Sequence, residues 1–484
     1  MLDYVVVGGG IGGVLSASVL SHMGKEVALF EALDYLGGCA GTFQKDGYYY
    51  NVGAATFVGV QEGMPVGILA KFLRVELPTV EIDPSMVVHI KGERIRMWQD
   101  LERSVEELER AFGGFSNRAF WSRAQKVSQS LWKTYCSFLP YSFPLSPLRT
   151  LLRHPKEFLN TFLCNFVSAE RVAKLYLGGL SQEYKLFLDH LTLITAQGFA
   201  HEVPFSAGAM GMTYTNLKNY YAVGGMGELL RAFASKIKYL HTRERVKKVE
   251  VKPWGFVVRT NKGTYETKRV IMNTTVWNVG DMVEELKDYS QRARRAYAQR
   301  WGAFVIYMTV RDMGLQELSH HHFILLNDPI PYTQSRSLFV SLSDPQDPKL
   351  SKEGTRSITI STHTLLEPWE NLSKEEYEER KEKALEYCLE LVYRELPSLR
   401  YAEKIKVFAG TPKTFARYTM RYRGSVGGIP LTKDYFPFGY PSPFTPVKGL
   451  YVVGDTVFPG QGWPGVAMGV INLLLSIEKE LKLC

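Results

Sequence analysis

The stretch Tyr4–Leu20, YVVVGGGIGGVLSASVL, opens with a short apolar run, Tyr4 to Val7, and then places Gly8, Gly10 and Gly13 at G-x-G-x-x-G spacing. Apolar or small residues follow at Ile11, Val14, Leu15, Ser18 and Val19, the spacing of one helical face. A second apolar run, Val27 to Phe30, ends in Glu31. Strand, glycine turn, helix, strand and acid in this register form a dinucleotide-binding βαβ unit. Gly8 allows the tight turn, Gly10 lets the backbone approach a pyrophosphate, and Gly13 lets helix and strand pack closely. The helix N-terminus adds unpaired N–H groups and partial positive charge. Glu31 stands where a carboxylate accepts hydrogen bonds from an adenosine ribose and disfavours a 2′-phosphate, so NADP is not expected here.

FAD and NAD both satisfy this fingerprint, and the residues that follow separate them. Leu36–Phe43, LGGCAGTF, is a second permissive loop, with Gly37, Gly38, Gly41 and Thr42. A simple NAD domain has no general need for it, whereas a cofactor that continues through a ribityl chain to a flavin does. No second strand–G-x-G-x-x-G–helix unit follows: Ala222–Leu230, AVGGMGELL, has Gly225 and Gly227 but Leu230 where the third glycine would fall. Near the C-terminus, Val452–Gly469 reads VVGDTVFPGQGWPGVAMG. Asp455, at the end of a strand, is placed to accept hydrogen bonds from ribityl hydroxyls, and the loop after it lets backbone N–H groups approach a flavin. A helix beginning near Pro464 or Gly465 points its positive end at the ring edge where negative charge grows on reduction. Two distant glycine-rich loops that meet around one ligand predict a single bound FAD.

Bulk properties agree with a large folded enzyme. The 484 residues allow two domains or one composite domain, and 45% hydrophobic content with 22% charged residues argues against disorder. A formal charge of +9 permits an anionic membrane surface, nucleic acid or acidic substrates as partners without choosing among them, and no block of basic residues marks a nucleic-acid tail. Five scattered cysteines with no C-x-x-C suggest neither a disulfide framework nor a zinc site, which fits a reducing cytosol. No signal peptide and no bilayer-spanning apolar run are expected. His320-His321-His322 is read as a solvated loop rather than a metal site, and no metal is expected.

The set VVVGGGIGG, LGGCAGTF, NVGAATFVG, VGGMGELLRAF and GLYVVGDTVFPGQGWPGVAMG resembles the FAD-dependent carotenoid desaturases and isomerases, which include phytoene desaturases, carotenoid 3,4-desaturases and prolycopene isomerases and belong to the amine-oxidase-like flavoproteins. GDTVFPGQG and GGCAGTF look closer to the 3,4-desaturase and isomerase branches. The resemblance spans the chain and implies a cofactor-binding set of Gly8, Gly10, Ile11, Gly12, Gly13, Glu31, Gly37, Gly38, Thr42, Val246, Gly454, Asp455, Pro464, Gly465 and Val466. Val246 would face adenine from a strand edge, and Pro464 to Val466 would lie at the flavin edge. The family often has Asp where this chain has Asn51, which retains a capping acceptor and loses a charge. Cys39 is read as a small passive side chain in the cofactor loop.

The expected fold is α/β: a Rossmann-like FAD-binding domain, discontinuous over 1–75, 208–282 and 405–484, with a second, α+β substrate domain of mixed sheet plus helices over 76–207 and 283–404. RVKKVEV, GFVVRT and RVIMNT read as strands with a turn at Asn261-Lys262-Gly263. WGAFVIYMTV, SLFVSLS and RSITIST read as one further sheet. A long helix opens with a capping box, Ser373 and Glu376, and has an apolar face at Ala384, Leu385, Cys388, Leu389 and Val392. Between Trp121 and Leu180, aromatics and leucines alternate with Arg149, Arg153, His154, Lys156, Arg171 and Lys174. That mixture suits either a helical cap or peripheral contact with anionic lipid, and the resemblance favours the membrane surface.

Neither G-x-S-x-G nor H-E-x-x-H occurs, in keeping with chemistry carried by a cofactor. The resemblance implies a hydrophobic polyene substrate, with hydride transfer to flavin N5 in a desaturase or no net redox change in an isomerase. A quinone or oxygen would be the electron acceptor, and no nucleic acid is expected as partner. The sequence names no catalytic base. The competing expectation is a soluble FAD amine oxidase, for which Tyr418, Tyr422, Tyr435 and Phe436 would supply aromatic walls. A non-catalytic FAD-binding protein is a further alternative.

Overall fold

The computed structural model describes residues 1–483 except 54, 115, 138–147, 149, 150, 298 and 438. Arg149 therefore lies outside the described residues.

The glycine turn sits on a seven-stranded sheet: six strands run in the order Tyr239–His241, Val27–Phe30, Leu2–Val7, Thr264–Met272, Gly255–Thr260 and Val246–Lys252, and the seventh, Leu450–Val452, pairs with Thr264–Met272 off that path. Leu2–Val7 runs parallel to both neighbours, and its valines are buried on both faces, as in a sheet covered on two sides. The excursion Val246–Lys252, Gly255–Thr260, Thr264–Met272 is an antiparallel meander. Thr264–Met272 does two jobs. Its first half pairs with Gly255–Thr260, and its last three residues pair in parallel with Leu450–Val452. That register brings the end of the chain to within two strands of its beginning. Helices Ile11–His22 and Gly462–Ile477 cover one face, with Val14, Leu15, Val470, Ile471 and Leu474 in one buried cluster.

A second seven-stranded sheet is ordered Lys404–Gly410, Trp301–Arg311, Thr355–Leu365, Ser337–Leu342, His321–Leu325, Met86–Ile90 and Glu93–Met97. The domain edge expected at 405 falls inside the first of these strands. Alternation along Thr355–Leu365 splits the sheet chemically. Ile358 and Ile360 pack behind it against Ala384, Cys388 and Val392 of helix Lys374–Glu395. The capping box of that helix forms: Ser373 N donates to Glu376 Oε2 at 2.8 Å and Glu376 N to Ser373 Oγ at 3.1 Å. Ser357, Thr359, Ser361 and His363 share the opposite face by register.

The histidine triplet corrects the expectation of a solvated loop. His321 and His322 begin the buried strand His321–Leu325, held between Ser337–Leu342 and Met86–Ile90. His322 Nδ1 meets His89 Nε2 at 2.9 Å, and His321 Nδ1 meets Ser341 Oγ at 3.0 Å. The apolar residues after the triplet carry it into the sheet. Helices Asn117–Ser137, Ala169–Leu177, Gln182–Ala196 and Phe205–Met212 form a cap around a separate core that includes Phe120, Trp121, Phe187 and Phe205.

Candidate functional site

Three adjacent parallel strands end together, and the chain leaves the sheet at Gly8, Asn273 and Gly454. Asn273 ties these exits to one another. Its backbone N–H donates to Val7 O at 2.8 Å, and its Nδ2 donates to Val453 O at 3.0 Å. Its Oδ1 is buried and has no partner among the described residues. Gly10 and Gly13 owe their identity to this crowding: a Cβ at Gly13 would stand 2.0 Å from Gly8 O, and one at Gly10 would stand 2.6 Å from Asn273 Oδ1. The ends of strands in an open α/β sheet are where such folds bind ligands.

Glu31 is buried beside this turn, its Oε2 accepting from Gly9 N at 2.7 Å and its Oε1 from Leu33 N at 2.8 Å. Burial pushes its carboxyl above the usual range, and the two N–H donors oppose that shift. The carboxylate thus holds the glycine turn, while its remaining lone pairs can face a ribose. Val246 sits at a register shift between Val246 and Lys248, which turns Arg245, Val246 and Lys247 toward the same space.

A cavity of about 850 Å³ runs from this turn past the C-terminal loop to the inner face of the second sheet. Gly8, Gly10, Ile11, Gly12, Glu31, Gly37, Gly38, Val246, Gly454, Asp455, Pro464, Gly465 and Val466 all line it. Two residues of the sequence-derived set stand behind the wall. Gly13 packs on the turn, and Thr42 acts as a bolt: its Oγ1 donates to Asn51 Oδ1 at 2.8 Å and accepts from Gly227 N at 2.9 Å. Asn51 Oδ1 also accepts from Met226 N at 2.9 Å, so Asn51 caps helix Met226–Ala234, a task that needs an acceptor and no charge.

Asp455 is held by a residue that sequence reading missed. Arg421 Nη2 lies 2.9 Å from Asp455 Oδ2, and both guanidinium Nη atoms lie 3.2 Å from Oδ1. Burial works against the Arg421 charge, yet the Asp455 carboxylate outweighs it and keeps the guanidinium firmly protonated. Cys39 adjoins this pair. Burial pushes its thiol up and the nearby Arg421 pulls the other way, leaving the thiol protonated, as befits a packing residue. The helix Gly462–Ile477 begins at the N-cap Gln461, two residues before the expected start, and directs its unpaired N–H groups at the cavity.

Beyond the helix end, the cavity is walled by Trp132, Tyr135, Ile194, Met210, Phe323 and Phe339. Of the aromatics expected for an amine site, Tyr418 and Phe436 line the cavity. Tyr422 lies under the Arg294 guanidinium, and Tyr435 packs edge-on against Tyr297. A three-residue group that could ligate a metal, Glu170, Asp189 and His201, is engaged by lysines: Lys185 Nζ lies 2.7 Å from Asp189 and 3.4 Å from Glu170.

The chemistry of this lining fits an extended dinucleotide: a glycine cradle at the turn, a buried acid beside it, a paired acid midway, and a helix N-terminus before an apolar chamber. Comparison with known proteins agrees. Residues 11–471 match the family model described as flavin containing amine oxidoreductase. The chain is similar to prolycopene isomerase 2, chloroplastic, of an Oncidium hybrid cultivar, 28% identical over 99% of this chain and 84% of that one. It is also similar to the 1-hydroxycarotenoid 3,4-desaturase of a Flavobacterium species, 22% identical over 96% of each chain. Among solved structures, an oxidoreductase from Methanosarcina mazei superposes with a TM-score of 0.62 at 18% identity, covering 98% of this chain and 100% of that one. Putrescine oxidase bound to putrescine superposes with a TM-score of 0.62 at 16% identity, covering 99% and 98%. The fold, the cradle and the match across the chain together show that it belongs to the flavin containing amine oxidoreductase family, with FAD as its cofactor.

Proposed function

We propose that the protein is an FAD-dependent oxidoreductase of carotenoid biosynthesis, acting on a carotenoid-type polyene by desaturation or by cis/trans isomerisation. The observation that carries this reading is the continuity of one cavity from the nucleotide turn to a chamber walled by Trp132, Tyr135, Ile194, Met210, Phe323 and Phe339. Whole-length similarity to prolycopene isomerases and a carotenoid 3,4-desaturase supports it.

FAD, when bound, would supply a two-electron acceptor for desaturation or, in its reduced form, electrons lent to the polyene and recovered, with no net redox change, for isomerisation. The chain supplies the rest. The glycine turn, braced by Asn273, would receive the pyrophosphate on its N–H groups, Glu31 would accept from the ribose, and Asp455, fixed by Arg421, would accept from the ribityl hydroxyls. The N-terminus of helix Gly462–Ile477 stabilises negative charge at the ring edge. The aromatic and aliphatic walls hold a long apolar chain in line and exclude water. In this reading 1–75, 208–282 and 405–484 form the cofactor unit and 76–207 and 283–404 the substrate unit. A quinone or oxygen reoxidises the flavin in the desaturase case.

Such a substrate resides in a bilayer. Among the described residues no helix is long and apolar enough to cross a membrane. The helical cap instead exposes Leu152, Leu159, Leu163, Phe166 and Leu175, from 57% to 80% accessible, with Arg153, Lys156 and Arg171 exposed among them. Apolar side chains rimmed by cations suit a monotopic seat on anionic lipid, so we place the protein at the cytoplasmic face of a membrane.

Expression in hosts accumulating lycopene or prolycopene, followed by pigment chromatography, tests the reading. A red-shifted product with fewer hydrogens identifies a desaturase, and an unchanged formula with altered geometry identifies an isomerase. Unchanged pigments in every host, together with bleaching of the bound flavin by a mono- or polyamine, would replace this reading with an amine oxidase.

A further inference from the structure

Three polar side chains from three elements converge on one wall of the cavity: Gln197 at the end of helix Gln182–Ala196, His363 of strand Thr355–Leu365, and Gln461, the N-cap of helix Gly462–Ile477. Gln197 Nε2 donates to Gln461 Oε1 at 3.1 Å and to His363 Nε2 at 3.2 Å. The Gln197 Oε1 is sealed from solvent and has no partner among the described residues. Reversing the amide would put both of its protons in that sealed position, which costs more than one unpaired acceptor. Accepting at Nε2 assigns the ring proton of a neutral imidazole to Nδ1. Burial keeps the ring neutral, lowering it to about 4.

His363 Nδ1 differs from the Gln197 oxygen. No group among the described residues bonds it, the half-buried ring lines the cavity, and Nδ1 is not among the atoms sealed from solvent. Its N–H is therefore a donor open to the cavity. The surroundings fix the ring. Trp301 packs edge-on against it, with ring centres 5.8 Å apart and planes at 84°. Ala303, directly opposite in the antiparallel register, lines the same wall and takes little of the space beside the imidazole. Gly427, at φ 74°, admits the Gln197 amide, since a Cβ there would stand 2.3 Å from its carbon and nitrogen. Gln197 itself is held at φ 59°, a strained setting for a glutamine.

A conjugated hydrocarbon offers an N–H no acceptor. The pyrimidine side of a flavin ring offers carbonyl oxygens and ring nitrogens, and in the FAD reading the helix capped by Gln461 ends at that side. We propose that His363 donates its Nδ1–H to the pyrimidine side of the flavin ring and thereby favours the reduced cofactor, with Gln197 and Gln461 as positioning residues that hold the imidazole in this tautomer. Negative charge grows there on reduction, and a fixed donor in a site poor in water stabilises it. The inference rests on FAD as the cofactor and on no choice of polyene.

The test is the reduction potential of the holoenzyme without substrate. The protein is reduced slowly and anaerobically beside a reference dye of known potential, and both absorbances are followed. His363→Leu is expected to shift the equilibrium about tenfold toward oxidised flavin, the loss of one such bond, or ~30 mV for a two-electron couple. His363→Asn, whose amide N–H2 can stand near the Nδ1 position, is expected to recover at least half of that shift. Gln197→Met, which releases the tautomer without touching the ring, is expected to give a shift of about threefold at full flavin content. An unchanged or raised potential in His363→Leu overturns the proposal, and so does an Asn variant as low as Leu, which would assign the shift to packing. If His363→Leu retains no flavin, an unshifted Gln197→Met overturns it instead. Unchanged pigments in a polyene assay leave this measurement intact, whereas wild-type protein that binds no FAD removes the cofactor reading and this proposal with it.

Discussion

At the nucleotide end of the cavity the chain presents mostly backbone. Gly8, Gly10 and Gly12 bring main-chain atoms to the surface, and Asn273 and Glu31 are fastened to main-chain groups. At the other end it presents side chains: Trp132 and Tyr135 from the helical cap, and Phe323 and Phe339 from the second sheet. The first construction suits a ligand of fixed shape and charge, because backbone donors cannot be mutated away and rigid elements set their spacing. The second suits a ligand whose identity has to be chosen, since each side chain can change independently. The two ends should therefore fail in different ways.

The largest effect is expected from Gly13→Ala, which drives a Cβ to 2.0 Å from Gly8 O. Flavin retained after gel filtration should fall below detection, because helix and strand can no longer close the turn. A protein that keeps its yellow colour would break the claim that the nucleotide end is built by close backbone packing.

Arg421→Leu comes next. It leaves Asp455, whose side chain is 21% exposed, without its counter-charge, a loss of about 1–3 kcal/mol for a partly screened pair. Thermal denaturation of the apoprotein should show a lowered midpoint, and Arg421→Lys should recover part of it. Equal stability of Leu and Lys variants would contradict an ionic role for the pair.

Acidification separates the two ends directly. Burial lowers His89 and His363 to about 4 and His190, His321 and His322 to about 3, and all five belong to the cap and second sheet. The unfolded chain binds protons at these sites below about pH 6.5 while the folded one does not. Stability from these groups is present in full above that pH and is lost as the pH falls toward 4. Each histidine forfeits on the order of 1–3 kcal/mol across that window. Amide hydrogen exchange from pH 7 to 5, corrected for intrinsic rates, should show protection falling first in Trp301–Arg311, His321–Leu325 and Thr355–Leu365. Earlier loss in Leu2–Val7 would reverse the comparison.

A smaller effect is expected from Leu159→Glu, Leu163→Glu and Leu175→Glu combined. Flotation with anionic vesicles should weaken at least tenfold, by loss of buried apolar area and added repulsion, while flavin content stays the same. Unchanged flotation would remove the cap from the membrane account.

The glycine turn was legible in the sequence because glycine sterics act over a few residues: a turn that admits no Cβ must be glycine whatever surrounds it. The capping box at Ser373 and Glu376 was legible for the same local reason. Arg421 was not, since it meets Asp455 only through the tertiary fold, and Asn273 read as an unremarkable strand end until its amide was seen to bridge Val7 and Val453. Thr42 was assigned to the lining by its place in a motif, whereas its hydroxyl bolts two loops together behind the wall. The histidine triplet was misread because three polar residues suggest solvent. The run Phe323-Ile324-Leu325-Leu326 directly after it was the available signal that the segment enters a sheet.

Release and identification of the prosthetic group from purified protein tests the central claim most directly. Denaturation followed by chromatography and absorbance should yield FAD at one molecule per chain, and Gly13→Ala and Arg421→Leu should each lower that ratio from opposite ends of the sequence. Colourless protein that takes up no FAD on reconstitution, or stoichiometric FMN in its place, would contradict a cofactor held jointly by the N-terminal turn and the C-terminal loop.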